Sequence, residues 1–154
     1  MSDISPLANL AEIQELDLHT NRISDISSLT NLKSVQKLYL QNNQITNISL
    51  LAGLTNLQML EIENNQIRDI SCLSYLTVLN YADVRNNYLD LTPESSAMKV
   101  ITTLINNGVQ VKYTPQRGES IFNRLSGMVL PGILILAVAA GVVLGLMKKR
   151  NKAA

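Results

Sequence analysis

The sequence predicts an α/β repeat solenoid, a stack of similar coils that each carry one short strand, closed by a helix and a strand and followed by one apolar helix. Three observations lead to that prediction. Asn21, Asn43, Asn65 and Asn87 stand 22 residues apart, and seven apolar columns travel with them through the first ninety residues. Beyond Leu89 this period gives way to helical spacing and then to strand-like alternation. Finally, residues 127–147 run for 21 positions without one Asp, Glu, Lys, Arg or His.

The columns justify the coil. Five of them are Ile23/Ile45/Ile67/Leu89, Ile4/Ile26/Ile48/Ile70, Leu7/Leu29/Leu51/Leu73, Leu10/Leu32/Leu54/Leu76 and Ile13/Val35/Leu57/Leu79. Two more, Leu16/Leu38/Leu60/Ala82 and Leu18/Leu40/Ile62/Val84, lie just before the asparagine. Residues two apart, such as Leu16 and Leu18, face the same way only in a strand. The preceding steps of three, Ile4 to Leu7 to Leu10 to Ile13, suit a tight 3₁₀-like arc. Each unit is therefore one coil with a short strand on its inner wall.

The segment Leu57-Gln-Met-Leu60-Glu-Ile62-Glu-Asn-Asn65-Gln-Ile67-Arg-Asp-Ile70 resembles the 22-residue leucine-rich repeat of bacterial internalin-type proteins and of phosphatase-regulatory repeat proteins. The resemblance covers residues 1 to about 92. It implies a right-handed leucine-rich repeat solenoid with a parallel sheet on its concave side, used in that family to bind partners of many kinds.

The asparagine column reads as a structural ladder. Where each strand ends the backbone turns while buried, and a carboxamide supplies both a donor and an acceptor to groups that otherwise cost about 1 to 3 kcal/mol each. Next to Asn21 stands the only histidine, His19, with no second ligand that would complete a metal set; no metal and no cofactor are expected. One cysteine, Cys72, excludes an intramolecular disulfide and reads as a packed thiol. With no Trp and a single Phe, the core is aliphatic.

After the repeats (1–92) comes a cap (93–113). Thr92 is expected as N-cap with Pro93 in the first turn, and Ala97, Met98, Ile101, Leu104 and Ile105 recur at helical spacing until Asn107-Gly108. Val109, Val111 and Tyr113 then alternate with Gln110 and Lys112, as in a strand. The ending from Leu89 to Gln116 resembles that of many bacterial leucine-rich repeat proteins. Residues 114–126 read as a linker.

The run 127–147 reaches about 30 Å as a helix, the thickness of a hydrocarbon core, and reads as a transmembrane helix. Within it Ala137, Gly141 and Gly145 fall at steps of four, a small-residue stripe suited to helix pairing and hence to a homodimer. The tail 148–154 contains Lys148, Lys149, Arg150 and Lys152, whereas residues 1–126 hold nine Lys/Arg against twelve Asp/Glu. Such a distribution argues against nucleic-acid binding, which needs basic residues gathered on the folded domain.

The positive-inside bias places the tail in the cytoplasm and the repeats outside the cell. The chain nevertheless opens in mid-unit, with Met1 in the Ile23 column and no apolar leader, which leads to the expectation of a leader and N-terminal cap upstream. The alternative is a tail-anchored protein with its repeats in the cytoplasm, acting as a scaffold or regulator. A structural envelope component is a third reading.

The strand positions that face outward form rows: Glu15/Lys37/Met59/Tyr81, Asp17/Tyr39/Glu61/Asp83 and His19/Gln41/Glu63/Arg85. Tyr39, Met59 and Tyr81 cluster in adjacent rows, ringed by Glu61, Glu63, Asp83 and Arg85, and form the candidate binding surface for a protein or surface ligand. Glu61 and Glu63 share this face, but they lie on an open wall without a nucleophile-and-base set or a phosphate loop. The expectation is binding without catalysis.

Overall fold

The computed structural model describes residues 1–118 of the 154-residue chain. Every coil begins with a side chain in the Asp/Asn column. The Oδ1 atoms of Asp3, Asp25, Asn47 and Asp69 accept the backbone N–H two residues on, at 2.8, 2.8, 2.9 and 2.8 Å. This turn leads into 3₁₀ helices at Ser5–Asn9, Ser27–Asn31, Ser49–Gly53 and Ser71–Tyr75. Backbone bonds then advance in threes: Leu29 N–H to Ile26 O, Leu32 N–H to Leu29 O, and Val35 N–H to Leu32 O, at 2.9, 3.1 and 3.2 Å. A spacing of three stacks successive apolar side chains on one side of the arc, which is why the columns step by three.

The arc delivers the chain into three-residue strands, β1 (Glu15–Asp17), β2 (Lys37–Tyr39), β3 (Met59–Glu61) and β4 (Tyr81–Asp83). They form one parallel sheet in chain order, Glu15 beside Lys37, Lys37 beside Met59, and Met59 beside Tyr81. The central residues Leu16, Leu38, Leu60 and Ala82 point inward and are buried, while their neighbours face out. Past each strand the backbone passes through the left-handed region at Thr20, Asn42, Asn64 and Asn86, with φ of 55°, 59°, 56° and 54°. Asparagine tolerates that conformation better than most residues, which accounts for the doubled asparagines of the later units.

The second asparagine of each doublet locks one coil to the next. Asn65 Oδ1 accepts the Ile45 N–H at 3.0 Å, and its Nδ2 donates to Leu40 O at 2.9 Å and Ile62 O at 3.1 Å. Asn43 and Asn87 repeat the pattern. Asn21, half-buried at the first coil, bonds instead to Leu18 O and His19 O of its own unit and to the Met1 amino group.

The end of the stack departs from the sequence reading in three places. First, the helix α1 (Ser96–Asn106) is capped by Ser95, whose Oγ accepts the Met98 N–H at 3.2 Å, and not by Thr92. Asp90 repeats the coil-starting turn and takes the Thr92 N–H at 2.9 Å, so the chain makes one more turn before the helix begins. Second, α1 packs Ala97, Ile101 and Leu104 against the last coil, leaving Ile105 exposed. Leu73 and Leu76 thereby become buried, whereas Leu10 of the first coil is 43% exposed. Third, the expected linker 114–126, described only as far as residue 118, begins attached to the stack, the Asn86 N–H donating to Pro115 O and the Arg117 N–H to Asn87 O.

Strand β5 (Gln110–Lys112) joins the sheet beside β4, and Gln116 behind it is 5% exposed. Its Oε1 accepts the Asn87 N–H at 3.0 Å, and its Nε2 donates to Val84 O at 3.0 Å and to Tyr113 O. A carboxamide thus forms a fifth rung where the repeat phase has been lost, the glutamine's extra methylene carrying it to the same carbonyl column. The apolar run 127–147, its Ala137, Gly141 and Gly145 stripe and the basic tail lie outside the described residues. No helix among the described residues is long and apolar enough to cross a membrane.

Replacing Asn65 by Ala strands the buried Ile45 N–H and leaves the Leu40 and Ile62 carbonyls with one amide donor each, from Asn43 and Asn87, so Asn65→Ala is expected to cost about 2 to 3 kcal/mol. Asn21→Ala, where water reaches the site, is expected to cost about 1 kcal/mol; urea titration of both variants checks the contrast. Cys72 Sγ donates to Ile48 O at 3.2 Å, and burial pushes its thiol up to about 12. A maleimide at pH 8 is therefore expected to leave the folded chain unlabelled and to label it once denatured.

Candidate functional site on the sheet face

The outward positions of five short strands form a wall of parallel rows, with neighbours about 4.8 Å apart across the sheet. The structure brings Tyr39 and Met59 into contact, the Tyr39 hydroxyl donating to Met59 Sδ at 3.5 Å. Met59 is in register with Tyr81, so the three form one half-buried apolar patch. Lys112, brought into the wall by β5, lies 5.3 Å from the centroid of the Tyr81 ring. Although its alternation with Val111 was legible, nothing in the repeat phase said that Lys112 would continue the row begun by Asp17, Tyr39, Glu61 and Asp83.

Charge is distributed unevenly along this wall. Lys37 Nζ lies 3.0 Å from Glu15 Oε2, and His19 Nδ1 lies 2.5 Å from Asp17 Oδ1. The His19 side chain holds the Asp17 carboxyl below the usual aspartate range, and the Glu15 carboxylate raises the Lys37 ammonium. At the other end Arg85 grips Asp83 in a bidentate pair, Nη2 to Oδ2 at 2.6 Å and Nε to Oδ1 at 2.9 Å. Asp83 is only 2% exposed, which corrects its place in the exposed rim expected from the sequence. Covered by its neighbours, it orients Arg85, and the guanidinium is the group on the surface.

Between these pairs lie Glu61 and Glu63, both half-buried. Burial raises the Glu63 carboxyl above the ordinary glutamate value, and the Asp83 and Glu61 charges add to the shift against the opposing Arg85. Its Oε2 is buried without a hydrogen-bond partner, and so is Oε1 of Gln41, the next residue in the same row. The sequence reading placed Gln41 in this row but not among the candidate contacts. Only the coordinates reveal two adjacent acceptors without a donor. Among the described residues no three His, Cys, Asp or Glu side chains gather to hold a metal ion.

Residues 33–75 match the family model described as leucine-rich repeats, two copies. An internalin of Listeria monocytogenes shares 34% identity and a TM-score of 0.65 over 84% of this chain and 37% of its own. The chain carries leucine-rich repeats and is similar to internalins. Internalin C2 of the same species is similarly close, at 34% identity and a TM-score of 0.59 over 74% of this chain and 57% of its own. A leucine-rich repeat protein of Leptospira interrogans shares the fold at 18% identity and a TM-score of 0.53, over 72% of this chain and 34% of its own. The chain thus spans less than two thirds of the length of these relatives. No curated protein matches it in sequence.

Since its folded-state acidity is weakened, Glu63 binds a proton more readily folded than unfolded. The cost of its charge is full at neutral pH and disappears as the pH falls through the raised value toward 4.5. Glu63→Gln is therefore expected to raise Tm at pH 7 by a few degrees at most, the group being only half-buried, and the gain should vanish in thermal melts near pH 4.5.

Proposed function

We propose that this chain is a single-pass membrane protein whose leucine-rich repeats bind a protein or surface ligand through the open sheet face and perform no chemistry. The observation that carries the reading is the Tyr39, Met59 and Tyr81 patch set in a polar wall with Glu61, Glu63 and Arg85. Large, stiff side chains half-exposed among charges are the usual anchors of protein interfaces. The likeness to internalins supports an interaction module. An open wall with no nucleophile-and-base set favours binding over catalysis.

Anchoring rests on the 21-residue apolar run, and orientation on the four basic residues that follow it, which favour a cytoplasmic tail and repeats outside the cell. In the proposed helix the Ala137, Gly141 and Gly145 stripe lets two copies approach closely.

Protease added to intact cells is expected to remove the repeats and spare an epitope on the tail. Survival of the repeats would assign them to the cytoplasm, as in a tail-anchored scaffold. A photo-crosslinking side chain at Met59 is expected to capture a partner that the same group at Ser74, in the 3₁₀ turn opposite the sheet, does not. That capture should fall at least tenfold in the Tyr39→Ala, Tyr81→Ala double variant, two anchor losses of about 1 to 2 kcal/mol each.

A further inference from the structure

We infer that the sheet face receives a polypeptide segment through one of its basic side chains, a lysine or arginine seated over Gln41, Glu61 and Glu63. This inference rests on the sheet-face reading and names the chemistry of its partner. Three of the five carboxylates on the wall already have a side-chain partner within the molecule: Glu15 with Lys37, Asp17 with the His19 ring, and Asp83 with Arg85. Glu61 and Glu63 have no ion pair of this kind among the described residues. The two carboxylates of the wall without a salt-bridge partner among the described residues thus stand together at its centre.

A second observation is independent of charge. Oε1 of Gln41 and Oε2 of Glu63 belong to adjacent residues of one row, both atoms are buried, and neither receives a hydrogen bond. Acceptors shut off from water cost free energy until a donor arrives. A group rich in donors suits both atoms best. An ammonium has three donors and a guanidinium five, and neither has an acceptor, whereas a hydroxyl or amide would add acceptors beside the existing ones. A basic side chain also carries an apolar stem, and the Tyr39 and Met59 surface in the adjoining rows is the place for it. Arg85 makes no hydrogen bond to either atom, its Nε and Nη2 being directed at Asp83.

A random-peptide display library selected on the full-length chain in detergent micelles tests this. Enriched peptides are expected to share a Lys or Arg flanked by an apolar residue. Their affinity should fall about tenfold in Glu63→Gln and in Gln41→Leu, the loss of a charge-assisted bond, and similarly when the peptide's basic residue becomes norleucine. Glu63→Gln keeps the shape of the side chain, and an unchanged melting curve at low pH shows that the variant is folded. If peptides bind in a Tyr39- and Tyr81-dependent way but have no common basic residue, or ignore Glu63→Gln, the inference fails and the sheet-face reading stands. If no selected peptide responds to the tyrosine substitutions, both fail.

Discussion

A backbone that must turn while buried, once per coil, sets the terms for the whole fold. The asparagine ladder meets that constraint. The carboxamides of Asn43, Asn65 and Asn87 each accept an N–H from the preceding coil and donate to carbonyls of two coils, so a bond within a unit is also a bond between units. Neighbouring coils are thereby held in register, and strands of only three residues are brought edge to edge. Strands so short gain little from their own ladder bonds. They are stable because the aliphatic columns behind them, with Leu38, Leu40, Ile45, Leu57, Leu60 and Ile62 fully buried, fill the interior from coil to coil.

The same constraint explains the end of the stack. Once the repeat phase stops, the last coil still presents carbonyls and an apolar floor. Helix α1 covers the floor with Ala97, Ile101 and Leu104, and Gln116 answers the carbonyls of Val84 and Tyr113. Replacing the regular asparagine by a glutamine from a different local structure shows that the constraint lies in the backbone groups. What the site needs is a carboxamide at the right distance, whatever chain path brings it there.

The candidate surface is a by-product of this order. Because register is exact from coil to coil, residues 22 positions apart become lateral neighbours, and chemistry dispersed in sequence is collected in rows. Most of the charge so collected is neutralised locally. What stays unsatisfied, Glu63 and Gln41 in the middle of the wall, raises the energy of the free protein. A partner that supplies donors there relieves that cost on binding, so the same feature that weakens the fold gives the surface its selectivity.

From sequence alone the coil, the rows, the aliphatic core and the structural role of Asn43, Asn65 and Asn87 were legible because each repeats a local rule from unit to unit, and the helix and strand after Leu89 were legible from their own spacing. Hydrophobic spacing is a local property, and four copies of it outweigh the ambiguity of any one. Several features were decided only in three dimensions: the shift of the helix cap from Thr92 to Ser95, the burial of Asp83 under its pair with Arg85, the entry of Lys112 into the wall, and the capture of Gln116 as a fifth rung. Each depends on which groups at the last coil lack a partner once the regular pattern ends. That is a matter of geometry between segments far apart in the chain, and no spacing within either segment encodes it.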